Sequence, residues 1–153
     1  MDDRQFLDVA IAQARTGRAE GGIPLGAALG VDGVVLGAGR NRRVQAGSAI
    51  RHGETDALEV AGRLPAAAYA RATIYNTLSP CDMCTGAILL YGIPRVVMGE
   101  NRTFRGGEDL LRARGVEVIN LDSAECAQLM DEFIQQHPEL WWEDIGVEGP
   151  EAE

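Results

Sequence analysis

The segment Ser79-Pro80-Cys81-Asp82-Met83-Cys84, followed by the apolar run Thr85-Gly86-Ala87-Ile88-Leu89-Leu90-Tyr91, is typical of a loop that enters a helix. Ser and Pro are preferred at the cap and in the first turn, so this helix is predicted to begin at Ser79 and Pro80. The two cysteines would lie at the positive end of the helix dipole, which lowers a thiol pKa. The segment His52-Gly53-Glu54 opens a second helical pattern. We expect one metal ion to join the two helix N-termini.

His52, Cys81 and Cys84 are ligand types that zinc prefers, and a catalytic zinc site uses three protein ligands and one water. Zinc lowers the pKa of that water from about 15.7 toward roughly 7. Glu54 is not a ligand in this interpretation, and its carboxylate can take a proton from the water and pass it to a ring nitrogen and then to a departing amine. The pattern H-x-E with P-C-x-x-C is typical of zinc deaminases, so it predicts hydrolytic deamination.

A structural zinc site and a disulfide are the alternatives. A structural site needs a fourth Cys or His. His137 precedes Pro138 near a predicted helix end and fits a solvated position, while Cys126 lies in an apolar helical pattern that fits a buried small side chain. The sequence therefore favours a catalytic zinc.

Length and composition favour one domain. The chain has 153 residues, of which 46% are hydrophobic, enough for one well-buried core. We expect a single domain over residues 1–146 and a disordered tail over 147–153. No apolar run approaches the roughly 18 residues of a membrane helix, and no charged-then-apolar leader opens the chain. Three cysteines, two of them in a metal motif, suit the cytoplasm.

The net charge of −9 favours a small substrate over a nucleic acid, because enzymes of polynucleotides need basic surfaces to bind phosphates. Arg40, Arg42 and Arg43 form the only tight basic cluster. We expect these arginines to be solvated in a loop, with contact to an anion as the alternative.

The hydrophobic pattern predicts a sheet covered by helices. A helix is expected from Phe6 to Ala14, and Asp32-Gly33 is a strong signal for a two-residue hairpin turn. The strands are expected at Leu25 to Val31, Val34 to Gly39, Ala72 to Leu78, Arg95 to Gly99 and Val116 to Leu121. The last two strands should run parallel because a helix around Leu110 connects them.

Nearly the whole chain resembles cytosine deaminases of the yeast type, within the cytidine deaminase-like superfamily. The most specific stretches, besides Leu78 to Ala87, are Glu20 to Gly26, Tyr91 to Arg95, Gly99-Glu100-Asn101 with Phe104, and Trp141-Trp142-Glu143-Asp144-Ile145-Gly146. The resemblance implies a three-layer α/β/α sandwich around a five-stranded mixed sheet, a homodimer, and one Zn²⁺ per subunit.

The resemblance also implies roles for individual residues. It makes His52, Cys81 and Cys84 the zinc ligands and Glu54 the proton shuttle. It makes Asn41, Ser79, Phe104, Trp141 and Asp144 the substrate-binding residues. A carboxylate at Asp144 can only accept hydrogen bonds, so it would bind the N1–H of a free pyrimidine base and reject a nucleoside, which carries its sugar at N1.

The chain departs from the yeast-type pattern at two places. Thr55-Asp56-Ala57 replaces a less acidic segment, and Asn76 stands where the family has Thr. Asp56 is expected to be a first-turn helix acid, although either change could alter the edge of the pocket. The predicted reaction is therefore deamination of cytosine. The alternatives are another amino-heterocycle (isocytosine, guanine, adenine or a nucleoside) and a non-catalytic, zinc-stabilised interaction protein.

Overall fold

The computed structural model describes residues 1–150 as a mixed five-stranded sheet with helices on both faces. The strands are β1 (Gly26–Val31), β2 (Val34–Arg40), β3 (Ala72–Asn76), β4 (Arg95–Met98) and β5 (Glu117–Asn120). The helices are α1 (Asp3–Ala19), α2 (Arg43–Ala46), α3 (Gly53–Ala61), α4 (Ala66–Tyr69), α5 (Asp82–Tyr91), α6 (Glu108–Ala113), α7 (Ala124–Gln136) and α8 (Pro138–Asp144). The predicted α/β/α sandwich with a five-stranded mixed sheet is confirmed.

The order of the strands across the sheet is β2-β1-β3-β4-β5. Strand β1 is antiparallel to both of its neighbours, whereas β3, β4 and β5 are parallel. The predicted hairpin joins β1 and β2, and both of its turn residues have positive φ, 52° at Asp32 and 78° at Gly33. Two such residues make the type of turn whose twist matches that of paired strands. The parallel pairing of β4 and β5 was also predicted correctly.

Each face of the sheet has its own apolar core. Leu29 and Ile74 pack with Ile88 of α5 and Leu111 of α6 on one face. On the other face, Ala28, Tyr75 and Val97 pack with Phe6 of α1. Cys126 of α7 packs against α1 and is 2% exposed, which confirms its predicted role as a small buried side chain.

The prediction that Ser79 and Pro80 begin a helix was wrong. Helix α5 begins at Asp82, and Cys81 is its N-cap residue. The Ser79 hydroxyl does not cap the helix because it binds residues that are distant in sequence. It donates to the Glu108 carboxylate at 2.7 Å and accepts from the Gly106 N–H at 3.0 Å. Ser79 and Pro80 therefore belong to the loop that leaves β3.

The predicted tail, 147–153, lies only partly within the described residues. The Val147 N–H donates to the Trp142 carbonyl at 2.9 Å. Residues 151–153 lie outside the described part of the chain. Across residues 1–150, no helix combines the length and apolar character that crossing a membrane requires.

Candidate metal and active site

The candidate metal site lies where the N-termini of α3 and α5 meet. His52 is the N-cap residue of α3, Cys81 is the N-cap residue of α5, and Cys84 lies in the first turn of α5. Helix α3 packs closely against the start of β1 at Gly53. A Cβ atom at this position would lie 3.1 Å from the Gly26 carbonyl carbon, so a larger residue would crowd the strand. Two helices that are 20 residues apart in sequence are thus held against the same strand ends.

The geometry of His52, Cys81 and Cys84 fits a tetrahedral zinc. One potential ligand atom from each residue lies within 4.8 Å of the others. The Nδ1 atom of His52 is 3.4 Å from the Cys81 sulfur and 3.8 Å from the Cys84 sulfur. Ligands around a tetrahedral zinc are separated by roughly 3.5 Å, as the Zn–N and Zn–S bond lengths require. The three predicted ligands are therefore brought together with the correct spacing.

The second ring nitrogen of His52 contacts a carboxylate. Its Nε2 atom is 3.3 Å from Oδ1 of Asp144, and both side chains are buried. A carboxylate in this position can keep the proton on Nε2 when Nδ1 gives up its own proton to bind a metal, and it also orients the imidazole ring. Asp144 thus supports the metal ligand in addition to facing the cavity.

The two thiols differ in acidity. Hydrogen bonds with Cys84 and, to a smaller extent, with His52 outweigh the effect of burial and lower the pKa of Cys81 to about 4. The same contact with Cys81, together with burial, raises the pKa of Cys84. Burial lowers the pKa of His52, but the hydrogen bond to Cys81 and the charges of Asp144 and Glu54 outweigh it and raise the pKa to about 9. Cys81 is thus the thiolate that is ready to bind a metal.

Glu54 lies beside the ligands in the first turn of α3 and is 8% exposed. Burial raises the pKa of its carboxyl group to about 7, and the negative Cys81 contributes. A carboxyl group with a pKa near neutrality can both accept and donate a proton at working pH. Its predicted role as a proton shuttle is compatible with this environment.

A cavity opens next to the metal site. Its lining consists of Leu25, His52, Glu54, Thr77, Leu78, Ser79, Cys81, Phe104, Trp141, Asp144 and Ile145. Phe104 and Trp141 meet edge to face, with ring centroids 6.0 Å apart and planes at 79°. The aromatic rings provide apolar walls, and the carboxylates of Glu54 and Asp144 provide the polar groups, as is common in sites for small molecules.

Two predicted substrate contacts have unexpected positions. Asn41 is fully buried but lies behind Asp144 and does not line the cavity. Its Nδ2 donates to Asp144 Oδ1 at 2.8 Å, and its Oδ1 accepts from the Arg43 N–H at 3.1 Å. Ser79 lines the cavity, but its hydroxyl donates to Glu108. Direct contact of Asn41 or Ser79 with a substrate stays a prediction.

The arginine cluster is paired with acids, so its predicted solvation in a loop was wrong. Arg40 binds Glu20 at 2.7 Å, Arg42 binds Asp56 at 2.9 Å, and Arg43 binds Glu143 at 3.0 Å. Glu20 is the C-cap residue of α1, Asp56 lies on α3 and Glu143 lies on α8. Each arginine instead ties the end of β2, or the residues just after it, to a helix or to its C-cap.

Several residues of the site were missed by sequence reasoning. Leu25, Thr77, Leu78 and Ile145 line the cavity, and Glu108 supports Ser79. Each of the four lining residues lies within a quoted motif or a predicted strand, but its residue type gave no reason to place it in the site. Asp56 and Asn76, the two departures from the yeast-type pattern, are not among the lining residues.

Comparison with known proteins identifies the class. Residues 1–100 match the family model for the cytidine and deoxycytidylate deaminase zinc-binding region. A cytosine deaminase of Candida albicans is 58% identical over 146 residues, which cover 95% of this chain and 97% of that protein. A tRNA-specific adenosine deaminase of Streptococcus pyogenes is 32% identical, with coverage of 86% and 89%.

A solved structure of a guanine deaminase from Nitrosomonas europaea has the same fold, with a TM-score of 0.68 and 26% identity. The similarity covers 84% of this chain and 82% of that one. The family match covers more than half of the chain and includes every predicted zinc ligand. The chain therefore belongs to the cytidine and deoxycytidylate deaminase family of zinc-dependent enzymes.

Proposed function

We propose that this protein deaminates free cytosine hydrolytically, so that cytosine and water give uracil and ammonia. The observation that carries the proposal is the 58% identity to a cytosine deaminase over 95% of the chain. Similarity to the adenosine and guanine enzymes is much lower, at 32% and 26%. The buried Asp144 carboxylate in the cavity supports a substrate with a free ring N–H.

We propose that His52 Nδ1 and the sulfurs of Cys81 and Cys84 hold one Zn²⁺ per subunit. When bound, zinc supplies a hydroxide nucleophile near neutral pH by lowering the pKa of water. The neutral imidazole and two thiolates offset the charge of the ion, and the contact of His52 Nε2 with Asp144 at 3.3 Å fixes the ring.

Glu54 moves the protons in this proposal. Its carboxylate takes the proton of the attacking water and delivers it to N3 of the base. A second transfer, from the hydroxyl oxygen at C4 to the departing amine, gives ammonia and the carbonyl of uracil. The pKa of about 7 that burial gives Glu54 suits both transfers.

The rest of the cavity selects the base. Phe104 and Trp141 would pack around the pyrimidine ring, and Asp144 would accept its N1–H. Asn41 and Ser79 complete the proposed substrate-binding set, Asn41 through its hydrogen bond to Asp144. A nucleoside has no N1–H and carries a sugar at that position, so Asp144 should exclude it by a lost hydrogen bond and a clash.

The substitution Glu54→Gln tests whether the protein is a catalyst or a zinc-stabilised interaction protein. Gln has the same shape but cannot shuttle a proton, so we expect an unchanged zinc content, an unchanged melting temperature and no ammonia release. Ammonia release at the rate of the parent protein would remove Glu54 from the mechanism. Glu125→Gln, on α7 and away from the cavity, is the matched control.

We also propose that the protein is a homodimer, as the family resemblance implies. The exposed ends of α3 and α5 carry apolar side chains, with Val60 55%, Leu90 76% and Tyr91 44% exposed. Such a group of exposed apolar residues is typical of an interaction surface. Light scattering should give twice the chain mass for the parent protein and the chain mass for Leu90→Glu; a monomeric parent protein would contradict the proposal.

The single domain over residues 1–146 and the cytoplasmic location are also proposals. None of the three cysteines forms a disulfide, which supports a reducing compartment. A single calorimetric transition would support one domain, and fractionation of the source cells tests the location.

A further inference from the structure

Asp56 makes more contacts than a first-turn helix acid needs. It lies two residues after Glu54 in α3 and is fully buried, with 0% exposure. A buried carboxylate is costly unless charged or polar partners compensate for the lost water. Burial raises the pKa of Asp56, but hydrogen bonds from the Arg40 backbone and from the Arg42 and Arg51 side chains outweigh it and hold the pKa below its usual value. The Asp56 carboxylate is therefore charged, and its hydrogen-bond partners identify the part of the chain that it holds in place.

These partners are Arg40, the last residue of β2, and Arg42 and Arg51, which lie between β2 and α3. Oδ2 of Asp56 accepts from the Arg40 backbone N–H and from the Arg42 Nε, both at 2.9 Å. Oδ1 accepts from Arg51 Nη2 at 2.7 Å. The Arg42 N–H also donates to the Arg51 carbonyl at 2.9 Å, so the segment is closed at its two ends.

The approach of β2 to α3 at this point is close. A Cβ atom at Gly39 would lie 2.3 Å from the Ala57 nitrogen and 2.8 Å from Asp56 Oδ2. Only glycine allows the strand to come this near to the first turn of the helix. The Asp56 carboxylate therefore reaches the end of β2 directly, across a closely packed contact between the strand and the helix.

Asn41 lies between Arg40, the last residue of β2, and Arg42, and Asp56 holds both of these neighbours. Its own N–H continues the strand by donating to the Leu25 carbonyl at 2.9 Å, and its side chain donates to Asp144 at 2.8 Å. The Asp56 contacts to Arg40 and Arg42 therefore fix the backbone on both sides of the residue that orients Asp144.

We propose that Asp56 is a positioning residue for substrate binding, which holds Asn41 against Asp144 through Arg40 and Arg42. The inference rests on the proposed role of Asn41 and Asp144 in binding the base. Asp56 does not line the cavity, and its contact with the metal ligand His52 is the backbone hydrogen bond of the helix turn, from the Asp56 N–H to the His52 carbonyl at 2.9 Å. Replacement of the Asp56 carboxylate keeps that bond, so it should affect substrate binding more than the chemical step.

A purely structural role would give a different result. Loss of the buried ion pairs of Asp56 lowers the stability of the protein whether or not Asp56 positions Asn41. A positioning role predicts in addition a rise in KM that depends on Asn41. The split between KM and kcat, measured with zinc content and melting temperature, separates the two roles.

The test compares Asp56→Asn, Asn41→Ala and the double variant, with Glu125→Gln as the control. Glu125 is also a first-turn acid that pairs with an arginine, but it lies on α7. We expect Asp56→Asn to raise the KM for cytosine roughly tenfold, to change kcat less than about threefold, and to keep its zinc. In the Asn41→Ala background, Asp56→Asn should change KM less than about twofold.

An unchanged KM in Asp56→Asn would overturn the inference, as would effects of Asp56→Asn and Asn41→Ala that multiply in the double variant. An unchanged KM in Asn41→Ala alone would instead reject the proposed role of Asn41, on which the inference rests. Should Asp56→Asn fail to fold, Arg42→Gln removes one of the same contacts at a side chain that is 27% exposed. Arg42→Gln should then raise KM with unchanged zinc content, and an unchanged KM would again overturn the inference.

Discussion

Replacement of Asp144 by Ala should reduce catalysis and weaken discrimination between cytosine and cytidine. In the proposed complex, this carboxylate accepts the N1–H of the base in a charge-assisted hydrogen bond. Such a bond contributes about 1.5–3 kcal/mol, which corresponds to a roughly 10- to 150-fold change in kcat/KM. The Asn41 amide at 2.8 Å and His52 Nε2 at 3.3 Å would also lose their partner. Zinc affinity should fall roughly 10- to 100-fold, because Asp144 orients a metal ligand.

The assay follows ammonia release with zinc in excess, so that weaker metal binding does not reduce the number of active molecules. Cytosine, 1-methylcytosine and cytidine are compared for the parent protein and for Asp144→Ala. We expect the parent protein to use cytosine alone. The variant should lose most of its activity on cytosine, so the ratio of cytosine to cytidine turnover should fall.

Two results would refute this reasoning. One is an Asp144→Ala variant that turns over cytosine at half the parent rate or faster. The other is turnover of 1-methylcytosine by the parent protein at the rate of cytosine, because that substrate has no N1–H to donate. Asp144→Asn keeps the shape of the side chain and one acceptor oxygen, so it should lose less activity on cytosine than Asp144→Ala.

Three further predictions concern the metal, the core and pH. Zinc binding at pH 7 should release about two protons, one from His52 and one from Cys84, because Cys81, with a pKa of about 4, is already ionised. Calorimetry in buffers of different ionisation enthalpy counts the released protons. A count near zero would contradict this assignment. Phe133 is 0% exposed, so Phe133→Ala should lower the free energy of unfolding by about 3–5 kcal/mol in urea titrations, whereas a loss below about 1 kcal/mol would contradict its place in the core. The hydrogen bond to Arg95 lowers the pKa of Asp3 below its value in the unfolded chain. The contribution of this pair to stability is therefore present above about pH 4 and is lost as the pH falls through the folded pKa. The free energy of unfolding of Asp3→Asn should thus fall less over that pH range than that of the parent protein, and an equal fall would count against the pair.

Local signals predicted most of the fold. The turn Asp32-Gly33 needs only its own residue types to adopt positive φ. The nearly continuous apolar runs of β1, β3 and β4 reflect burial on both faces of the sheet. The zinc ligands were also accessible to sequence reasoning, because His, Cys and their spacing carry chemical identity.

Long-range pairing accounts for what was missed. Ser79 has the residue type of a helix cap, but Glu108, 29 positions later, binds its hydroxyl. Arg42 and Asp56 were interpreted separately, as a solvated arginine and a helix acid, because nothing in the sequence indicates that β2 comes close enough to α3 for them to meet. Gly37 and Gly39 of β2 are hints of this approach, and they are interpretable only once the neighbouring helix is known.

Ammonia release by the zinc-loaded protein, measured on cytosine, 5-methylcytosine, isocytosine, cytidine, adenine and guanine, tests the proposed function most directly. The proposal predicts turnover of cytosine and no turnover of cytidine. Turnover of a purine or of isocytosine in place of cytosine would contradict the assigned substrate while keeping the zinc chemistry, and the absence of ammonia from every substrate would contradict the proposed catalysis itself.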